Sequence, residues 1–509
     1  MTPSFPRSIP TLLLVLGGAR VGLLLLLGFR PFDDTFITFR YALNLASGHG
    51  LVYNIGEPIL GITTPLWGAL LSLAPLFGLR DMGSVALVLG GLLDLISALL
   101  ICHLVWTWSG DRWLAAAAGL LLLTHADYSS IVRSGMEISL FSFLALACIT
   151  ALASGRHSLG TGFACMSYFA RPEGILLVPL ALACAALAHS RRRRRVLQAI
   201  GLVLLFFVPW VTFTTIWYGS PVAQSVVAKR GMAELDPGLK AFSRMNLRLL
   251  AYEGQYGGGR FERTWLQGNL AWLAFLTLAA LQLASRLRRE LAAGPASPKA
   301  VAWLSLLALL AAWLAAHGFL GGFSWFPWYY GPVYVLAIPL VALGAHGLFA
   351  RSSSAALRGR GAVATISLLA ALQVYTLAAI KLPKDVDAWP WPYQQVLAPD
   401  LPLEPNVVIG ATEIGMIGWA AWPTRVFDAV GLVNHTIASA SLAERLRNER
   451  PDYLCFRSDE AAQVLEQLDS DHWLSSVYEL KRTITQQNAN REYLLYRKRR
   501  PNGQAVGGS

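Results

Sequence analysis

Apolar runs separated by short polar loops dominate the first three-quarters of the chain. They predict helical spans at 10–29, 84–108, 113–128, 137–153, 158–170, 174–189, 196–218, 266–285, 300–320, 329–349 and 362–381, eleven in all. An α-helix rises about 1.5 Å per residue, so about 20 residues cross the hydrocarbon core of a bilayer. The runs at 158–170 and 174–189 fall short of that and predict broken or tilted helices, or a locally thinned bilayer. One more apolar stretch, "GITTPLWGALLSLAPLFGL" (61–79), is long enough to span, but Pro65 and Pro75 suit an interrupted helix.

The basic loops supply an orientation, because short cytoplasmic loops carry an excess of Lys and Arg. "SRRRRR" (190–195, with Arg191 to Arg195), "RLRRE" (286–290) and "RSSSAALRGRG" (351–361) are separated by pairs of spans, so all three face the cytoplasm. Arg7 then places the N-terminus inside and residues 30–83 outside. Parity holds only if 61–79 lies at the outer surface or re-enters, since a crossing there would put "SGDRW" (109–113) outside. The first apolar segment has no clear small-residue cleavage site and more spans follow, which argues against a cleaved signal peptide.

Beyond 381 the pattern changes to a Pro- and Trp-rich connector and then to short strand and helix signals. "NVVIGA" and "TRVFDAVG" read as strands, "TEIGMIGWAA" as a helical turn, and "SLAERLRNERPDYLCFR" as helix then strand. The expected organisation is a transmembrane core at 1–381 with a first outer loop at 30–83, a small extracytoplasmic α/β domain at 382–500, and a disordered tail at 501–509. No internal repeat is visible.

Composition agrees with a polytopic α-helical membrane protein. Of 509 residues 55% are hydrophobic and 14% charged, against about 25% charged in soluble domains. The net charge of +12 resides largely in the basic loops, so it encodes orientation and predicts no nucleic-acid partner. Cys102, Cys148, Cys165 and Cys184 lie in apolar segments and Cys455 stands alone, which gives no disulfide framework.

With this topology the polar constellations gather on one side. Asp33 and Asp34, in "RPFDDTFITFRYALNLASGHGLVYNIGEP" (30–58), follow the first span. "VRSGMEIS" brings Arg133 and Glu137, "ARPEG" brings Arg171 and Glu173, and "YGSPVAQSVVAKRG" brings Gln224, Lys229 and Arg230. "HGFLGGFSWFPWYYGP" contains His317 and Trp325. A lipid-facing pocket holding both signs suits an anionic lipid head group and acid–base chemistry. A sugar on a polyprenyl phosphate already carries its leaving group. Transfer to a hydroxyl needs a carboxylate to accept the proton, and cations or a metal ion to neutralise the departing phosphate. Asp33 or Asp34 can supply the base, and Lys229, Arg230 and Arg171 the cations. A direct attack inverts the anomeric centre.

These residues resemble a known family. "DDTFITFRYALNLASGHGLVYNIGEP" is similar to the first-loop motif of polyprenyl-phosphate-sugar-dependent glycosyltransferases of the GT-C superfamily. Cell-wall arabinofuranosyltransferases and their relatives, whose segment reads approximately DDAFISFRYARNLAEGHGLVFNPGE, are the closest in flavour. "SGMEISLF" resembles SGLEtpLf, "ARPEGIL" resembles TRPEG, and "WYGSPVAQSVVAK" resembles YGxPLPNTxxAK. "IGATEIGMIGWAAWPTRVFDAVGLVNH" and "RPDYL" resemble outer-domain segments. The matches thread most of the chain in order. Two departures stand out: Leu60 occupies a place where an acid often stands, and Ala223-Gln224 replaces Pro-Asn.

The resemblance implies a GT-C-type core and inverting transfer of a sugar, with a pentofuranose as one option, to an extracytoplasmic glycan or lipid-linked acceptor. The first-loop acid would be the base, and Asp33 aligns better with the first position of the motif. Asp34 and Glu137 would organise the acceptor or a divalent ion such as Mg or Mn. Lys229, Arg171, Glu173, Arg40, His49, Gln224 and Trp325 complete the expected donor and substrate contacts. The protein would sit in a bacterial inner membrane, N-terminus inside and α/β domain outside.

Plainer readings compete. Asp33 and Asp34 can be a solvated helix end. Glu137 can be an interfacial partner of Arg133, Arg171 and Glu173 a loop-fixing pair, and Lys229 and Arg230 snorkelling cations. His49 and His317 are more often structural than metal ligands, and no His/Cys spacing suggests a metal site. "WFPWYY" reads as an interfacial belt, with Trp325 a candidate sugar platform. Arg20 in the first span, with Asp94 and His103 in the second, predict buried packing partners, because a central Arg costs about 2.5–3.5 kcal/mol on insertion scales. Arg20 and Asp94 also keep open a transporter or flippase; a lipid-linked glycan ligase or polymerase is a third reading.

Overall fold

The computed structural model describes residues 8–187, 192–232, 261–293, 297–320, 327–350, 352–379, 406–434, 441–470, 472–486 and 491–499. Helices form at each of the eleven apolar runs. They are α1 (Ser8–Leu27), α4 (Met82–Ser109), α5 (Arg112–Thr124) continued by α6 (Ala126–Val132), α7 (Ile138–Ala153), α8 (His157–Ala170), α9 (Leu177–Leu187, after a 3-10 turn at Pro172–Leu176), α10 (Arg192–Tyr218), α12 (Phe261–Ala293), α13 (Pro298–Leu320), α14 (Gly331–Ala350) and α15 (Ala355–Ala379). Between these runs lie α2 (Asp33–Ala46), α3 (Pro65–Leu76), formed by the apolar 61–79 stretch, and α11 (Gln224–Met232).

Among the described residues five helices are long and apolar enough to cross a membrane alone, or six if the α5–α6 pair is one bent span. The sequence pattern asked for eleven spans. Segments such as α7 and α9 are shorter than a bilayer by themselves. Yet α7 is buried on nearly every side, so its place in the bundle is set by neighbouring helices rather than by lipid. The 61–79 stretch contributes only the 12 residues of α3, about 18 Å of helix and too little to cross. Pro65 opens it and Pro75 sits in its last turn.

Arg20 does find buried partners. Its Nη2 lies 3.0 Å from Asp94 Oδ2, and Tyr128 donates to Asp94 Oδ1 at 2.6 Å. The Arg20 Nη1 donates to Ser129 Oγ at 2.5 Å and to the Leu123 carbonyl at 3.3 Å. That carbonyl lies beside the 50° break between α5 and α6. The Ala126 amide donates to Gln373 Oε1 at 2.9 Å, and the Tyr128 amide to His125 Nδ1 at 3.3 Å. Backbone groups freed at a break inside a bundle need such partners.

The C-terminal unit is a five-stranded sheet built from β1 (Val408–Ala411), β2 (Arg425–Asp428), β3 (Tyr453–Arg457), β4 (Tyr478–Gln486) and β5 (Arg491–Lys498), in the order β2-β1-β3-β5-β4. β1 pairs in parallel with β2 and β3; β5 pairs antiparallel with β3 and β4. Side chains alternate across the sheet. Leu454 and Phe456 join a small core with α17 (Leu442–Glu449), α18 (Ser458–Asp469) and α19 (Trp473–Val477). Tyr453 and Cys455 point the other way and belong to the same core as the helical bundle, with Ile409, Ala411 and Val426.

Helix α16 (Ile414–Ala420) joins that core to the first loop by lying on α2. Small residues permit the approach: a Cβ on Gly415 would collide with the Asp33 backbone, and one on Gly418 with the Tyr53 hydroxyl. We therefore expect Gly415→Ala to weaken docking by about 1–3 kcal/mol, the usual cost of overpacking. Limited proteolysis should then release the sheet unit more readily. Unchanged protease resistance would show that the α2–α16 contact does not hold the unit in place.

Candidate functional site

The first turn of α2 carries both acids of the first loop. Asp33 accepts from the Gly415 amide through Oδ2 and from the Met416 amide through Oδ1, each at 2.8 Å. It thus caps α16, whose first amides have no partner inside the helix. Burial, first, and the nearby charge of Glu413 push the Asp33 carboxyl up to about 8, against the pull of the two amides and with a smaller push from Asp34. Asp34 is partly exposed, and its charge acts on Glu137.

Glu137 and Arg171 are both buried, and Arg171 Nη1 lies 2.6 Å from Glu137 Oε1. The same guanidinium holds Glu173 in a two-pronged contact, Nη2 to Oε1 at 3.0 Å and Nε to Oε2 at 3.3 Å. It lies 5.5 Å from the ring centre of Tyr329 and 5.8 Å from that of Trp313. Three segments distant in sequence therefore meet around Arg171. The ionic pair at 171 and 173 is not local only, since Arg171 bridges to Glu137. Arg133, the expected partner of Glu137, instead donates to the Gly28 carbonyl at 2.9 Å and to the Leu27 carbonyl, tying the end of α1.

Several expected contacts fall elsewhere. Arg40 is fully buried and donates to the carbonyls of Tyr53, Gly418 and Thr424 and to Asn54 Oδ1. These bonds stitch the first loop to the sheet unit and turn the guanidinium away from a phosphate-binding role. His49 is exposed in the turn beyond the C-terminal end of α2, about 20 Å along the helix from its acidic end. It stands apart from the ionic cluster. Gln224 lies where both departures from the family pattern meet: its amide donates to the Leu60 carbonyl at 2.6 Å and its side chain to the Gly431 carbonyl at 3.3 Å. Buried Asp428 accepts from the Val430 and Leu432 amides at 2.8 and 2.5 Å and so fixes that turn. Lys229 and Arg230 lie on α11, and His317 on α13, but their side chains, and the whole of Trp325, lie outside the described residues.

Sequence reasoning missed Trp313 and Tyr329 as the aromatic walls of Arg171. The "WFPWYY" run was the available signal, and an interfacial belt was the wrong inference from it: Trp328 and Tyr330 are buried, and Trp328 packs on Phe32 with ring centres 4.8 Å apart. Among the described residues no group of three or more His, Cys, Asp or Glu side chains is placed to hold a metal ion. Glu137 and Glu173 are both engaged by Arg171. A divalent cation does not fit this set, and no step is derived through one.

The fold and its cluster define a polytopic helical membrane protein with an α/β unit docked on its first loop. Two solved structures share this fold across nearly the whole chain. One is ArnT from Cupriavidus metallidurans bound to undecaprenyl phosphate, with 13% identity, TM-score 0.55, and coverage of 95% of this chain and 97% of that one. The other is the same protein in the apo state, with 13% identity, TM-score 0.57 and the same coverage. This likeness is one of fold and does not single out arabinofuranosyltransferases. Residues 394–496 match a family described as Domain of unknown function (DUF8728). No curated protein matches the sequence.

The raised Asp33 carboxyl makes docking pH-dependent. Because its folded value lies above the ordinary 3.8, its contribution to stability is complete below that value and is lost as pH rises through about 8. Amide exchange at Gly415 and Met416 should therefore accelerate between pH 5 and 9 by more than intrinsic base catalysis, and Asp33→Asn should flatten the excess. Protection that stays constant over this range would contradict the assignment.

Proposed function

We propose that the protein transfers a sugar from a polyprenyl-phosphate donor to a hydroxyl of an extracytoplasmic glycan or lipid-linked acceptor. The observation that carries this reading is the ionic cluster of Glu137, Arg171 and Glu173, with the charge of Asp34 acting on Glu137. The fold likeness to ArnT, solved with undecaprenyl phosphate, supports the class of donor.

Of the two first-loop acids, Asp34 takes the base role in this proposal. Both oxygens of Asp33 already accept backbone amides of α16, so Asp33 positions the first turn of α2. The acceptor oxygen bonds to the anomeric carbon as the carbon–phosphate oxygen bond breaks. Its proton passes to Asp34, and polyprenyl phosphate leaves with inversion. Lys229, on the helix after Gln224, is assigned to the departing phosphate. Arg171, held by two carboxylates and two rings, orders Glu137 and Glu173 rather than binding phosphate alone. The transporter reading rested on Arg20 and Asp94. Their mutual bond inside the bundle supports a packing role for them instead.

Purified protein in detergent, supplied with labelled polyprenyl-phosphate sugars, tests the reaction, since a flippase would need two compartments and a transferase would not. Asp34→Asn should lower turnover by about 10²–10⁴-fold, the usual worth of a positioned base, while leaving protease resistance of the sheet unit intact. Turnover near the wild-type level in that variant would remove Asp34 from the chemistry.

A further inference from the structure

Helix α10 is long and apolar enough to cross a membrane, yet of its 27 residues only Ala199, Thr214 and Tyr218 are buried. Among the described residues nothing covers most of its surface, so lipid meets it on most sides. Its last residue is tied to the first loop, where the Tyr218 hydroxyl donates to the Leu51 carbonyl at 3.0 Å. Twenty-seven residues of helix put Arg192 about 40 Å from that contact, on the side that the basic loops assign to the cytoplasm. The start of α10 meets α8 at His157, whereas Arg171 follows the opposite end of α8, about 20 Å away. The start of α10 is therefore remote from the ionic cluster.

A group of cations stands there. Arg192, Arg193 and Arg194 are exposed, and among the described residues no hydrogen bond or ion pair engages them. With Leu197 and Gln198 they line an open groove of about 790 Å³. Cations in a first turn oppose the helix macrodipole, so these three do not serve the helix that carries them. Their base is fixed on α8: Arg195 Nη1 donates to His157 Nε2 at 3.4 Å, and the Ser158 hydroxyl to Gln198 Oε1 at 3.4 Å. The basic loop at the end of α12 is used differently, since Arg286 pairs with Glu290 at 2.8 Å and lies 4.0 Å from the ring centre of Trp108.

An apolar stripe continues from the arginines along the same helix. At 100° per residue Leu197, Ile200, Leu204, Val208 and Val211 fall within about 80° of one another and in line with Arg193, and all five are exposed. We propose that this end of α10 binds a phospholipid of net negative charge, with its phosphate on Arg193 and Arg194 and an acyl chain along the stripe. The head group must be anionic, because a zwitterionic one would bring its own cation against three guanidinium groups. Each arginine close to an anionic lipid surface is worth about fivefold in binding. The lipid holds the start of α10, and through Arg195 and Gln198 that of α8, at the membrane surface. This site lies apart from the reaction proposed above and does not depend on it.

Native mass spectrometry of the full-length protein in detergent tests it with three probes at equal concentration. Phosphatidylglycerol carries chains and a net negative charge, phosphatidylcholine carries chains and phosphate without net charge, and glycerol 3-phosphate lacks the chains. Phosphatidylglycerol should be retained at least about tenfold better than either. Arg193→Gln combined with Arg194→Gln should erase most of that preference with the unfolding temperature in detergent unchanged, and Arg193→Lys combined with Arg194→Lys should keep it. Arg288→Gln combined with Arg289→Gln, at exposed positions of α12, should leave it intact. Equal retention of phosphatidylcholine overturns the charge requirement, and equal retention of glycerol 3-phosphate overturns the stripe. An unaffected 193/194 glutamine pair, or an equal loss in the 288/289 pair, overturns the site. If the glutamine pair fails to fold, the comparison of probes on the unaltered protein still decides.

Discussion

A carboxyl side chain at the first turn of one helix caps the first turn of another, and much of this protein's outer architecture follows from that bond. Asp33 sits at the start of α2, and its two oxygens receive the amides of Gly415 and Met416 at the start of α16. Glu413, the residue preceding α16, offers no side-chain cap of its own. The chain therefore borrows a cap from a residue almost four hundred positions earlier. Arg40, two turns along α2, closes the other end by donating to the carbonyls of Gly418 and Thr424. Acid to amides at one end and guanidinium to carbonyls at the other match the polarity of the short helix between them.

This docking turns a surface loop into a wall. The face of the sheet bearing Tyr453 and Cys455 shares a core with the bundle, whereas the face bearing Leu454 and Phe456 is covered by α17, α18 and α19. The turn after β2, held by Asp428, reaches the Leu60–Gln224 corner. A Cβ on Gly61 would fall 2.8 Å from the Leu432 carbonyl, so that corner closes only because residue 61 has no side chain. The two departures from the family pattern are thus one feature. With Leu60 and Gln224 joined through the backbone, a change at either alters the same wall.

Much of the helical content was legible because apolar runs and basic loops are read one residue at a time. Asp33, Glu137 and Arg171 were also visible, as polar residues that a membrane segment has reason to exclude unless they act. What each of them touches was not. Nothing local distinguishes Asp33 from Asp34: the two are adjacent acids, and 100° of helix rotation sends one to α16 and leaves the other near Glu137. Arg40 looked like a phosphate ligand because its acceptors are backbone carbonyls of a distant unit, and carbonyls leave no trace in side-chain identity. Trp328 and Tyr330 looked interfacial for a similar reason, since a belt and a buried aromatic wall share a composition.

Two of the buried arginines, Arg20 and Arg171, show why the same residue type carries different meanings here. Arg20 meets one carboxylate, one hydroxyl and one carbonyl, and Asp94 has Tyr128 as a further donor, so every strong group has a neutral or opposite partner. Such a network resists rearrangement, because moving any member leaves a charge uncompensated in a low-dielectric interior, at a cost of about 3–5 kcal/mol. Arg171 differs in partner count. It is shared by Glu137 and Glu173 and flanked by the rings of Tyr329 and Trp313, so moving it uncouples both acids at once and opens a gap between segments distant in sequence.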